Sequence, residues 1–287
     1  MKIVSLVPSA SEILTDLGLE KHLIGVSHEC NYPESLKNLP SITSSNINSN
    51  ETQRKIDDSV RAKVSENLPL YEINIDKINK LEPDIIITQG VCDVCAISNN
   101  QVEVMLKGHI CTIPSSTNVI SLNGKSFDGI CQDINILGQH LNRTERAKEI
   151  VENAIIKKNS MMSMQKHNIR VLCLEWIDPY FSAGHWVPEQ IEMAGFLSAI
   201  GKSGDQSRVI TSDEIKESKP DVIAVICCGY NQKKNEAFAL DLYGDHRINT
   251  LPPFKNKKVY SFDSDAFFSR PTLRILEGAK QLRDTIL

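Results

Sequence analysis

Four clusters in this sequence hold side chains able to do chemistry. They are His28-Glu-Cys30, Cys92-x-x-Cys95, Gly184-His185-Trp186-Val-Pro-Glu189 and the Cys227-Cys228 pair, with Phe267 and Arg270 nearer the carboxyl end. The Cys92/Cys95 spacing serves zinc knuckles and dithiol redox sites, but no second such pair and no following His pair accompany it. Asp93 between the two thiols would raise their pKa, which opposes a redox role. A site for zinc or another soft metal could still draw on His28, Cys30, Cys92, Cys95, Glu189 and Cys228. Cys227 and Cys228 alternate along a strand, so only one of them can join it.

The Gly184–Glu189 cluster joins an aromatic, an imidazole and a carboxylate at a loop-to-helix junction. One reading is a capped helix with a buried Trp186. The other is a contact surface for a planar or macrocyclic ligand, on which Trp186 stacks while His185 donates a hydrogen bond or coordinates a metal. A serine hydrolase is excluded by the lack of G-x-S-x-G, and a dinucleotide fold is disfavoured because the first strand leads into Pro8-Ser-Ala-Ser11.

These residues need elements to hold them. Short β-branched runs alternate with helical patterns along the whole chain, which predicts α/β architecture with parallel sheets. The candidate residues then fall at strand ends: Ser9 after the first strand, His28 and Cys30 after the second, and Trp176, Cys228 and Arg270 later. Both tryptophans and five of the eight cysteines collect at such ends. Ligands of open α/β sheets bind beyond the carboxyl ends of the strands.

An internal repeat divides the chain. Asp76–Gly90 and Asp213–Gly229 each read as a short helix, a Pro-Asp turn and an apolar strand, with Pro83 and Pro220 137 positions apart. Ile130, Ile134, Leu137 and Leu141 form a helical stripe that breaks at Asn142 and resumes at Ala147. We therefore expect an N-terminal lobe over 1–125, a helical bridge over 126–167 and a C-terminal lobe over 168–287. Residues 34–50 and 230–256, together with 177–187, read as loops or irregular chain.

Bulk properties narrow the function. The 287 residues carry a net charge of −4 without a basic stripe, which argues against a nucleic-acid partner. No apolar run approaches a transmembrane length. Met1-Lys2 leads straight into a strand without an apolar leader, so a cytoplasmic location is expected, and there the cysteines would remain thiols, metal ligands or core residues.

The opening Ile3–Ile13, Gly25–Pro33, the Pro83-Asp-Ile-Ile-Ile strand, Gly184–Glu189 and Phe268-Ser-Arg-Pro271 together resemble the cobalamin and ferric-siderophore solute-binding proteins of ABC importers. His28-Glu-Cys30 and Cys92-x-x-Cys95 resemble the branch labelled cobalamin-binding that lacks an export signal. The resemblance implies two Rossmann-like lobes, joined by a long helical bridge, with a small-molecule ligand in the cleft and an ABC permease as partner. On this reading the ligand is cobalamin, another corrinoid or a similar metal chelate. Ser9, Trp176, His185, Trp186 and Phe267 contact it, and Arg270 meets a carboxamide or carboxylate. A second reading, from another class, is a cytoplasmic metal- or thiol-dependent enzyme that uses the Cys/His cluster on the same fold.

Overall fold

The computed structural model describes residues 1–66, 68–90 and 117–287. The chain divides into two compact units, Met1–Gly124 with Cys131–Ile150, and Lys125–Ile130 with Val151–Leu287.

Among the described residues the first unit is built on four parallel strands, β1 (Ile3–Ser5), β2 (Leu23–Gly25), β5 (Ile85–Gln89) and β6 (Asn118–Leu122), in the order β2-β1-β5-β6. Helix α1 (Pro8–Asp16) follows β1, with Pro8 in the first turn, where its missing N–H costs nothing. Helix α3 (Ile75–Leu81) runs into Glu82, whose φ of +49° turns the chain into Pro83-Asp84. Asp84 then fixes the start of β5. Its carboxylate accepts the Lys2 N–H at 2.7 Å, and its own N–H donates to the Lys2 carbonyl at 2.9 Å. Val4, Leu6, Ile42, Ile78 and Ile86 pack behind the sheet, so truncating Ile86 to Ala would cost about 2–5 kcal/mol.

Part of the stretch expected as loop over 34–50 is sheet. Strands β3 (Thr43–Ser45) and β4 (Tyr71–Ile73) pair antiparallel, ahead of and behind helix α2 (Gln53–Ser65). Thr43 is buried despite its polar neighbours because its hydroxyl serves Ser27 and His28. The Ser- and Asn-rich composition conceals that pairing.

Two helices, α4 (Phe127–His140) and α5 (Thr144–Met162), fill most of 126–167. Asn142 stands between them with φ +56°, and Gly138 lets the chain close there, since a Cβ on it would collide with that of Ala147. The division between units runs through both helices, at residues 130/131 and 150/151.

The second unit repeats the frame. Strands β7 (Arg170–Ile177), β9 (Leu197–Ser198), β11 (Val222–Val225) and β12 (Val259–Ser261) pair in parallel, with β9 and β11 flanking β7 and β12 beyond β11. Helix α7 (Ser212–Ser218) ends on Lys219 at φ +46°, and Asp221 repeats the clasp: it accepts the Arg170 N–H at 2.8 Å and donates to the Arg170 carbonyl at 2.8 Å. Thr211 and Glu214 close a reciprocal capping box at the start of α7.

Two expectations change in this unit. Residues 177–187, read as a loop, contain β8 (Tyr180–Ser182), which turns back antiparallel onto β7 and carries β10 (Arg208–Val209) on its far side. The sheet is therefore mixed. Tyr180 is buried, with its hydroxyl on Asp245, so three residues suffice to hold the strand. Residues 230–256 are largely helical, as α8 (Gln232–Tyr243) and α9 (Pro252–Lys255). After β12 come α10 (Ser264–Phe267) and α11 (Ile275–Ile286), and the last helix begins four residues beyond Pro271. Helix α6 (Val187–Met193) lies between β8 and β9 in sequence.

Candidate functional site

The segments that follow β11 and β12 are tied together by one buried side chain. Asn235 accepts the Cys227 N–H at 2.9 Å and donates to the carbonyls of Phe262 at 2.9 Å and Tyr230 at 3.2 Å. The Cys228 N–H reaches the Glu175 carbonyl at 3.0 Å, and the Gly229 N–H reaches the Ser269 hydroxyl at 3.0 Å. Ser264 bridges the Ile226 carbonyl and Ser269, each at 2.8 Å. This network fastens the segment after β11 to the sheet edge.

On that edge stand two half-buried aromatic rings, Trp176 and Tyr230, with centroids 5.9 Å apart and planes inclined at 38°. Tyr230 is braced from behind by Phe238, edge-on at 5.2 Å. Burial, then the neighbouring Cys227 and Cys228, push the Tyr230 phenol above its usual range. It therefore stays neutral, with an O–H to offer. Tyr230 was not foreseen. Its signal was its position directly after Cys228-Gly229, at the end of the second copy of the repeat.

The other expected contacts divide sharply. Phe267 is half-buried under the Arg274 guanidinium, 5.0 Å from the ring centroid. Arg270 is 6 % exposed and paired with Asp265 at 2.6 Å, so its charge is already met within the unit. Trp186, expected to stack on a ligand, is buried and donates its indole N–H to the Phe268 carbonyl at 2.8 Å. It is a packing residue, because its polar end is satisfied inside the fold. His185 beside it keeps part of its ring open; its φ is +54°, and its ring centroid lies 5.7 Å from that of Trp186.

Glu189, expected as a metal ligand, is fully engaged elsewhere. One oxygen takes the Lys158 ammonium at 2.6 Å; the other accepts the Phe127 N–H at 2.9 Å and the Ser203 hydroxyl at 3.4 Å. It pins the first residue of α4 and neutralises a cation. Burial alone would lower the Lys158 pKa, but Glu189 and Asp128 together raise it.

In the first unit the strand ends are more polar. Ser9 donates to the Gln89 side chain at 2.9 Å, and the buried Cys30 thiol lies 3.2 Å from the Ser11 hydroxyl. His28 is exposed and anchored twice on the Thr43 hydroxyl, through its backbone N–H at 3.0 Å and Nδ1 at 2.7 Å. Cys92 and Cys95 lie outside the described residues. Among the described residues no three His, Cys, Asp or Glu side chains are grouped to hold a metal ion. Cys227 and Cys228 lie beyond the end of β11, in the turn that follows it rather than on a strand; Cys228 is exposed and Cys227 fully buried, while Cys173 is buried with its thiol pushed far up by burial.

The sequence that folds into these paired α/β frames is matched over residues 3–266 by the periplasmic binding protein family. The chain belongs to the periplasmic binding protein family. It is 22% identical to an uncharacterized ABC transporter substrate-binding lipoprotein, YvrC of Bacillus subtilis, over 99% of this chain and 79% of that protein. Among solved structures it is similar to the vitamin B12 binding protein BtuF of Vibrio cholerae (TM-score 0.67, 20% identity, 99% of this chain and 96% of that one). It is also similar to the heme binding protein HutB of Vibrio cholerae (TM-score 0.72, 19% identity, 100% and 98%). At such identities these structures establish the two-lobed fold alone.

Family membership overturns the cytoplasmic location expected above. The family is described as one of periplasmic binding proteins, and the Bacillus relative is described as a lipoprotein. That expectation rested on the first few residues, which form the central strand β1 and so report on the sheet rather than on location. The argument from a reducing compartment falls with it. Among the described residues, no helix is long and apolar enough to cross a membrane.

Proposed function

We propose that this periplasmic binding protein captures a metal chelate of macrocyclic type, a corrinoid such as cobalamin or a close analogue, and presents it to an ABC permease. The observation that carries this reading is the Trp176–Tyr230 pair, two aromatic faces held half-open at the carboxyl edge of the second unit. Flat conjugated ligands gain dispersion and apolar burial on such faces, and a neutral phenol adds a hydrogen bond at the ring's rim. The relatives described as binding vitamin B12 and heme support the class of ligand. In this reading Phe267, half-buried, adds a further aromatic contact, and in the first unit Ser9 and His28 follow β1 and β2. Catalysis is not part of this reading.

Absorbance titration with aquocobalamin, hemin and a ferric siderophore tests it. Saturable binding of one of them is expected, and Trp176→Ala should weaken it about tenfold, the equivalent of about 1.4 kcal/mol for a lost aromatic contact. Lack of a spectral change with all three at high micromolar concentration would refute the proposal.

A further inference from the structure

His185 is held in place with unusual firmness. Its φ of +54° is one that side-chain-bearing residues avoid, yet both its backbone groups are tied to the 201–207 segment. Its N–H donates to the Asp205 carbonyl at 2.6 Å, and its carbonyl accepts the Gly204 N–H at 2.8 Å. Gly184 permits this approach, because a Cβ there would collide with the Ser207 nitrogen. A strained residue so over-determined by its surroundings points to a use for its side chain.

The two ring nitrogens are in unlike environments. Nδ1 is sealed from solvent and has no hydrogen-bond partner among the described residues, whereas Nε2 lies on the part of the ring left open. A histidine that binds metal through Nε2 must carry its proton on Nδ1, and it nearly always passes that N–H to a carboxylate or carbonyl. Here the proton would be buried without an acceptor, and metal binding would make that N–H more polar still. Nδ1 itself is too enclosed to reach a metal. We propose that His185 meets the bound molecule as a hydrogen-bond donor through Nε2–H, toward an acceptor oxygen on the ligand's rim, and is not a ligand of the metal.

This assignment rests on the chelate-binding reading and specifies one contact within it. Burial, then the charge of Lys125, hold the imidazole below its usual pKa, which keeps it neutral at physiological pH. Lys125 is also near enough to favour an anionic acceptor, a carboxylate or phosphate, over an amide carbonyl.

Long-range proton–nitrogen NMR on ligand-free, nitrogen-15-labelled protein reads the tautomer directly, with the His185 signals identified by their loss in His185→Gln. The expected pattern has the proton on Nε2 and a bare Nδ1; a proton on Nδ1 would overturn the assignment. In titrations with aquocobalamin and hemin, His185→Gln should bind within about threefold of the parent, since the amide restores a donor, and His185→Ala should lose about tenfold. A histidine-ligated metal spectrum that disappears in His185→Ala also overturns it, as would equal affinity of His185→Ala and the parent. Should neither chelate bind, the preceding reading fails on its own, because the tautomer is measured without ligand.

Discussion

The two units of this chain set the same frame and furnish it differently. In each, a short helix ends on a residue at positive φ, a Pro-Asp turn follows, and the aspartate clasps the backbone at the start of the unit's opening strand, Lys2 just before β1 and Arg170 at the head of β7. Beyond that point they diverge. After β1 the chain enters α1 within three residues, and the strand ends carry serines, Gln89 and His28. After the longer β7 it folds back through β8, and the strand ends carry Trp176 and Tyr230. The fastening of the strand ends differs too. In the first unit, the backbone after β6 is held by the carboxylate of Asp133, which accepts the Asn123 N–H at 3.1 Å and the Gly124 N–H at 2.8 Å. In the second the fastener is the neutral amide of Asn235. The frame follows from apolar runs and one aspartate, and the chemistry follows from whatever is placed after each strand.

The largest test of this contrast is Asn235→Leu. It removes the fully buried amide that serves one backbone N–H and two backbone carbonyls, and the loss should reach about 3 kcal/mol or more in urea unfolding. A loss below about 1 kcal/mol would mean that water or rearrangement replaces the amide, and that the edge is not held as described. Next comes the clasp itself. Asp221 is partly buried, whereas the Asp84 side chain is 61% exposed. Asp221→Ala should therefore cost about 1–3 kcal/mol and Asp84→Ala less than about 1 kcal/mol; equal losses would break the argument that burial, not geometry, sets the difference.

The smallest effect is one of pH. Burial raises the pKa of Asp133, outweighing the two backbone N–H groups that lower it. A carboxyl whose folded pKa lies above its unfolded value of 3.8 contributes stability that is fully present below 3.8 and is lost as pH rises through the folded pKa. The stability of the parent relative to Asp133→Asn should thus shrink as pH rises above 3.8, the side of the unfolded value to which the shift points. Asn235 cannot titrate, so the first unit alone should show this dependence. Unfolding curves in which the parent's advantage grows with pH would reverse the sign and sink the account.

Much of the frame was legible in the sequence because its signals are local and strong. The β-branched runs, the Pro-Asp turns and the break at Asn142 each lie within a few residues, and each has a physical cause that does not depend on distant chain. What escaped is what distant chain decides. The β8 strand has three residues and no period to read, and it is held by Asp245 from 65 positions away. Helix α8 was obscured because its apolar residues face both ways, with Phe238 buried and Leu240 70% exposed. The site was legible as a set of strand ends and not as a set of contacts. Nothing near Trp186 in sequence announces that its indole N–H will meet Phe268, or that Glu189 will be used up by Lys158 and Phe127. Tyr230 was overlooked because a single tyrosine after a glycine carries no pattern, although its place in the repeat could have drawn notice.

The β8–β10 arm also bears on the solubility of the folded chain. A long apolar strand such as β7 offers neighbouring molecules a row of unpaired backbone groups wherever its side is bare, and β9 covers only Arg170 and Val171. The arm covers the remainder and then stops the sheet. β10 is two residues long, and Arg208 folds its guanidinium across the carbonyl of Val209 at 3.2 Å while paired with Glu214 at 2.7 Å. A charged, two-residue border is a poor template for a further strand, so the unit with the more apolar edge is also the one guarded against edge-to-edge aggregation.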